Sequence, residues 1–186
     1  MVFLEIFYKC GQIDKKSIAK NEKKKLIIVH ASRHKPDYYK NYFEHITNHC
    51  IEYIENLLKN GYKPDEITIM TRIYNNSLWD SLKQYSKEKG IKFSSVHKFK
   101  GLQSRIVILM DVTKGLFGFP CELEDSLLFE PAREEEKINK EDEERRLFYV
   151  ALTRAKEELI IYSQKEALSK FIGEIKPFID IQELPY

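Results

Sequence analysis

The residues best suited to chemistry fall in two short stretches. The first, 143–156, reads EERRLFYVALTRAK. Leu147, Val150 and Ala151 recur at i, i+3 and i+4, which predicts a helix that buries this face and leaves Glu144, Arg145 and Arg146 in water. Arg154 lies one turn further along the predicted buried side, and the strand-like run 159–162 (LIIY) follows at once. A guanidinium at the inner end of an amphipathic helix suits a phosphate, because its planar fork stays charged and can bond two oxygens. The alternative is a cation that only answers the negative end of the helix dipole. The second stretch, 95–103, reads SVHKFKGLQ. Its polar groups are expected just past the carboxyl end of a strand, where doubly wound sheets place their ligands, and Gly101 would allow close approach of the backbone.

Three further patterns compete for attention. Residues 106–111 (IVILMD) imitate a strand whose terminal aspartate holds magnesium beside a nucleotide. That role needs a phosphate-cradling GxxxxGK[ST] loop, and none of the seven glycines begins one, so this sequence does not make a complete ATPase site alone. His45 and His49 stand at i, i+4 without the intervening glutamate of an HExxH zinc site, so they read as packed or solvated histidines and no metal site is expected. The acidic run 134–144 (EEEKINKEDEE) reads as part of a mobile surface loop over 122–144.

These groups need a scaffold, and the rest of the chain describes one. With 186 residues, 32% of them charged, and a net charge of +2, the chain can bury one sizeable core. The charge balance by itself does not indicate nucleic acid. Cys10, Cys50 and Cys121 are odd in number and widely spaced, which predicts reduced thiols and a cytoplasmic setting. The opening MVFLEIFYKC has neither the length of a membrane span nor the pattern of a signal peptide, so no membrane role is expected. Residues 14–25 are lysine-rich and aperiodic. The expected division is therefore an extension or truncated element over 1–25 and one domain over 26–186.

Within that domain, apolar runs predict strands at 26–31, 65–72, 91–96, 106–110 and 159–162. Phe43, Ile46, Cys50, Ile54 and Leu57 predict a long helix from Tyr39 to about Gly61, and Leu78, Leu82 and Tyr85 predict a second that ends at Gly90. The helix of the arginine stretch and a last helix near 167–172 complete the alternation. Strands alternating with helices in this way imply an α/β fold, a mostly parallel sheet with helices on both faces.

The SVHKFKGLQ stretch, then a long apolar strand, then EERRLFYVALTRAK, resembles motifs V and VI of the UvrD/Rep helicases of superfamily one, and the intervening GLFGFPCELEDSLL is similar to the helicase IV branch. The resemblance implies a RecA-like fold of the P-loop NTPase type: the second motor domain of an ATP-dependent DNA helicase, using ATP and Mg2+ in a site held mostly by an N-terminal helicase domain. It implies that Arg154 reaches the γ-phosphate, that Gly101 and Gln103 lie at the nucleotide, and that Ser95 and His97 face single-stranded DNA. Gln103 stands where the family usually has a glutamate at the ribose; an amide can still accept from a hydroxyl. Arg72 matches a family residue near the DNA backbone, and Tyr74, where the family tends to have asparagine, would stack on a base or simply pack. The accessory insertion that many relatives carry before motif V is absent here, because the segment ending near Lys89 runs almost directly into Ser95. The family's tyrosine-arginine-serine motif is also missing ahead of Leu26, so the chain is expected to start inside or just after it. The competing class is a binding module derived from such a domain that holds nucleic acid or protein without turnover.

Overall fold

The computed structural model describes residues 26–32, 39–115, 117–122 and 134–184. The expected extension at 1–25 lies outside the described residues. Six strands form one sheet: β1 (Leu26–Ser32), β2 (Ile67–Thr71), β3 (Lys92–Ser95), β4 (Ser104–Leu109), β5 (Ala155–Gln164) and β6 (Asp180–Leu184), in the spatial order β3-β2-β4-β5-β1-β6. Every neighbouring pair is parallel. Parallel neighbours require crossovers, and these are supplied by α1 (Tyr39–Lys59), α2 (Asp80–Lys89), α3 (Glu134–Leu152) and α4 (Lys170–Ile175). The chain is therefore α/β with helices on both faces, as its alternating pattern implies.

The strands read as continuous apolar runs because both faces of the sheet are covered. All five residues of β2 are buried, and Ile106 to Leu109 of β4 are fully so. One side carries α1 and α2, with Phe43, Ile46, Cys50, Ile54 and Leu57 of α1 packed with Leu82 of α2 on Ile67, Ile69, Ile106 and Ile108. The other side carries α3 and α4, whose Phe148, Ala151, Leu152, Phe171 and Ile172 pack on Val107, Leu109, Leu159 and Ile161. Each such aliphatic or aromatic side chain contributes about 1.5–3 kcal/mol by leaving water. The link from β3 to β4 has no full helix. Residues 96–103 make one turn that buries Val96 and Phe99, with the Phe99 N–H donating to the Ser95 and Val96 carbonyls.

Three expectations are corrected, and one strand is added to those expected. The acidic run 134–144 is not a surface loop; it is the first half of α3, whose nineteen residues continue to Leu152. The buried face of α3 is not Leu147, Val150 and Ala151. Phe148, Ala151 and Leu152 are fully buried and Glu144 is 5% exposed, whereas Leu147 and Val150 are only partly covered. Both frames have helical spacing, and the one that buries the larger Phe148 and Leu152 prevails. At the start of α2 the anchor is Trp79, 2% exposed, while Leu78 is 37% exposed. The amide of Leu78 donates to the Asn76 side chain, so that turn faces outward. Finally, β6 was not foreseen: its alternation of apolar and charged residues is short, and the strand exists because β1 offers it a parallel edge.

Candidate functional site

The candidate residues divide between the two ends of the sheet. In a parallel sheet all strands begin at one edge and finish at the other. Gln103 immediately precedes β4 and Arg154 immediately precedes β5, and the Ser104 N–H donates to the Arg154 carbonyl at 3.0 Å, so both lie at the amino edge. Arg72 follows β2 directly and Ser95 ends β3, so these lie at the carboxyl edge. The expectation that all of 95–103 gathers past the end of a strand is therefore corrected. The turn at 96–103 carries the chain back across the sheet, leaving Ser95 and His97 at one edge and returning Gly101 to Gln103 to the other.

At the amino edge, α3 ends at Leu152 and delivers Arg154 just beyond its last turn. The Arg154 guanidinium is held by three neutral acceptors. Nε donates to the Val150 carbonyl at 2.9 Å, Nη2 to the Thr153 hydroxyl at 2.9 Å, and Nη1 to the Leu102 carbonyl at 3.2 Å. Thr153 Oγ1 is fixed by donating to the Val150 carbonyl at 2.8 Å. Burial lowers the arginine's pKa from its ordinary value, with no acid opposing that effect. Among the described residues no carboxylate pairs with this cation, which leaves its charge available to an external anion. Beside it, Gly101 adopts φ +85°, a conformation that other residues rarely take, and Gly101, Leu102 and Gln103 are exposed. The mouth of this site therefore consists of a left-handed backbone turn, a free amide side chain and a positive charge held in place from behind.

At the carboxyl edge the organising contact is one that the sequence pattern does not suggest. Arg72 Nε lies 2.9 and 3.1 Å from the two oxygens of Glu144, and Nη2 completes the fork on Oε1. The same carboxylate accepts from the Cys121 N–H at 3.0 Å. Side-chain exposures of 18% and 7% make this a largely buried pair. Glu144 is a residue that sequence reasoning missed; the available signal was its i, i+4, i+8 spacing with Phe148 and Leu152. His97 stands close enough to this pair that burial first, and then Arg72, hold its imidazole below the usual histidine pKa, so it is neutral at pH 7. Ser95 is 7% exposed, and its hydroxyl accepts from the Lys98 N–H at 3.3 Å, which caps the following turn. Tyr74, 37% exposed, meets Phe93 edge to face at 5.8 Å.

The competing patterns resolve as internal structure. Asp111 ends the apolar run of β4 in a left-handed conformation, φ +56°, and is 6% exposed. Its Oδ1 accepts from Thr113 Oγ1 at 2.8 Å and, weakly, from the Tyr42 hydroxyl at 3.5 Å. Burial pushes its pKa up to about 6. A carboxyl enclosed in this way suits a packed interior rather than a magnesium ion. His49 Nδ1 lies 2.7 Å from the Tyr162 hydroxyl, and its ring centroid is 4.8 Å from that of His30. Among the described residues no three His, Cys, Asp or Glu side chains group to hold a metal ion, and no helix is long and apolar enough to cross a membrane.

This arrangement can be set beside known proteins. DNA helicase IV of Escherichia coli (strain K12) is 32% identical over 120 residues, covering 62% of this chain and 18% of that protein. A probable DNA helicase II homolog of Mycoplasma capricolum subsp. capricolum is 30% identical over 125 residues, covering 66% of this chain and 16% of the homolog. The chain thus spans less than a fifth of the length of these curated relatives. The crystal structure of the C-terminal domain of a possible DNA helicase from Lactobacillus plantarum WCFS1 aligns with a TM-score of 0.47 at 13% identity, covering 87% of this chain and 86% of that one. The family model described as the UvrD-like helicase C-terminal domain matches residues 42–166, well over half of the chain. The chain belongs to the family of UvrD-like helicase C-terminal domains.

Proposed function

We propose that this chain is the second motor domain of an ATP-dependent DNA helicase, and that it lends Arg154 to a nucleotide held mainly by an N-terminal helicase domain. The observation that carries this reading is the set of contacts around the Arg154 guanidinium. Three neutral acceptors orient it, no described acid neutralises it, and an exposed glycine turn with Gln103 adjoins it. A charge oriented in advance costs no reorganisation when negative charge develops on a transferred phosphoryl, which is where such a group contributes most. ATP with Mg2+ would supply the phosphoryl chemistry. This domain's part is to present Arg154 to the phosphate, with Gly101 bringing backbone close and the Gln103 carbonyl accepting from a sugar hydroxyl. Because the sequence has no phosphate loop, the metal and most of the phosphates fall to the N-terminal domain.

The carboxyl edge is assigned to single-stranded DNA, with Arg72, Tyr74, Ser95 and His97 as the candidate surface. The neutral imidazole of His97 can bond phosphate or sugar without reading sequence. Ser95 contributes through the turn it caps, and Arg72 through its pair with Glu144, which keeps that edge in one arrangement. Helix α3 runs from Glu144 at this edge to Leu152, two residues short of Arg154 at the other, ~12 Å along its axis. A rigid element between the two edges is a physical route by which closure at the nucleotide would move the strand surface. The test is turnover by a protein that carries this domain together with an N-terminal helicase domain. DNA-stimulated ATP hydrolysis that survives Arg154→Ala unchanged would refute the arginine's role.

A further inference from the structure

Tyr74 has neighbours that change what it can do at the DNA edge. Lys83 Nζ lies over its ring at 5.3 Å from the centroid, and Lys98 Nζ lies over it at 5.2 Å. The two lysines come from different elements, Lys83 from α2 and Lys98 from the turn after β3, and the ring itself is braced edge-on by Phe93. Lys83 is also aimed by its bonds to the Asn76 carbonyl and to Asp80 Oδ1, each 3.0 Å. Asp80 is the acid at this spot, and its side chain is 69% exposed, so the pair is a weak surface one. Lys98 is fixed through its backbone, whose N–H is capped by the Ser95 hydroxyl, and it is the immediate neighbour of His97.

Two ammonium groups held over one aromatic ring are each attracted to it and repel one another. An anion beside them relieves the repulsion and keeps both attractions. A nucleic-acid base meets the opposite situation, because the ring it would stack on already has two cations over it and a T-shaped contact with Phe93. We propose that Tyr74, Lys83 and Lys98 form a clamp for the phosphodiester backbone of a single nucleic-acid strand, in which the tyrosine ring gathers the two ammonium groups instead of stacking on a base. This rests on the nucleic-acid reading of the carboxyl edge, and it supplies the positive charge that the small net charge of the chain does not.

The experiment measures anisotropy of two labelled strands, an oligothymidylate and an abasic deoxyribose-phosphate strand of equal length, titrated with the full chain across a salt series. Lys83→Gln and Lys98→Gln are each expected to reduce the slope of log K against log salt by about 0.7, the value for one phosphate contact on a single strand. Both variants should weaken the two strands alike. Tyr74→Leu should lose about two- to five-fold on both strands, because the ring no longer holds the two ammonium groups together before the strand arrives. If Tyr74→Leu weakens the oligothymidylate and leaves the abasic strand unchanged, the tyrosine stacks on bases and the clamp is wrong. An unchanged salt slope in both lysine variants, with the parent binding normally, also overturns the clamp alone. A parent that binds neither strand at low salt overturns the nucleic-acid reading itself, and the clamp with it.

Discussion

Arg72 and Glu144, 72 positions apart in the chain, form a forked ion pair that joins the carboxyl end of β2 to the buried face of α3. Removing one partner of such a pair leaves the other charge enclosed, which costs about 3–5 kcal/mol. Arg72→Ala and Glu144→Ala should each destabilise the domain by that order in denaturant titrations. The double variant should cost clearly less than the sum, because no orphaned charge remains. Strict additivity would show that the two side chains do not depend on each other. The consequence for function is that Arg72→Ala alone is a poor probe of DNA contact, since it disturbs the fold of the same edge.

For Arg154 the expectation runs the other way. In a protein that includes an N-terminal helicase domain, Arg154→Ala should leave melting nearly unchanged and reduce ATP turnover; arginines supplied to phosphoryl transfer contribute about 10³ to 10⁵ in rate. Arg154→Lys should recover little, because an ammonium keeps the charge and loses the fork. Arg146→Ala is the matched control, being exposed on the helix α3 that precedes Arg154. Arg145 is unsuited to that purpose, since it pairs with Glu141, Asp142 and Glu174. A steady-state assay in which Arg154→Ala and Arg146→Ala behave alike would contradict the proposed role.

The isolated chain should not turn over ATP above background. A phosphate loop is absent from its sequence, and a guanidinium without that loop and its metal does not assemble a phosphoryl-transfer site. Phosphate release measured on the purified 186 residues at saturating ATP, with and without single-stranded DNA, tests this directly. Sustained, DNA-stimulated release would mean that the nucleotide is held by residues other than those described.

Asp111 and His30 give two pH signatures of opposite sign. Burial raises the Asp111 pKa from 3.8 to about 6 in the folded state, so the native protein binds this proton more tightly than the unfolded chain does. Its contribution is favourable at low pH and is lost as pH rises from about 4 through 6. Asp111→Asn keeps an acceptor for Thr113 and tolerates the left-handed backbone. It should therefore stabilise the domain by up to about 3 kcal/mol at pH 7.5 and by little at pH 4, since each pKa unit corresponds to about 1.4 kcal/mol. Equal effects of the substitution at both pH values would rule out an ionised, enclosed Asp111.

His30, 4% exposed and with neither ring nitrogen hydrogen-bonded among the described residues, has its pKa lowered from 6.5 to about 4 by burial and by His49. The unfolded chain then binds the extra proton between those values, so stability falls as pH drops from 6.5 towards 4. His30→Phe should flatten that acid limb by up to about 3 kcal/mol, read from chemical denaturation at stepped pH. An acid limb identical to that of the parent would mean that His30 is not the group titrating.

Features with a local cause can be read directly from the order of residues. The five apolar runs are strands, and the central ones read most clearly because a parallel sheet covered on both faces buries most of their residues, which a continuous run records directly. Helix α1 was legible from Phe43, Ile46, Cys50, Ile54 and Leu57, all buried, since one face against one sheet imposes one period. The position of Arg154, between a helix and a strand, was likewise written in the order of residues. Relations across the sheet come instead from packing between elements distant in the chain. In α3 two overlapping frames both have helical spacing; the one that buries Phe148 and Leu152 also encloses Glu144, and Arg72 arriving from β2 pairs with it there. The division of 95–103 between the two edges follows from Phe99 packing under the sheet, which turns the chain back towards β4. Strand β6 depends on the open edge of β1 and carries too weak a pattern to announce itself. The role of Tyr74 depends on two lysines brought to it from separate elements. Periodicity reports whether an element buries a face, but it does not report which distant side chain meets that face, because the partner is fixed by strand order and that order is a property of the whole fold.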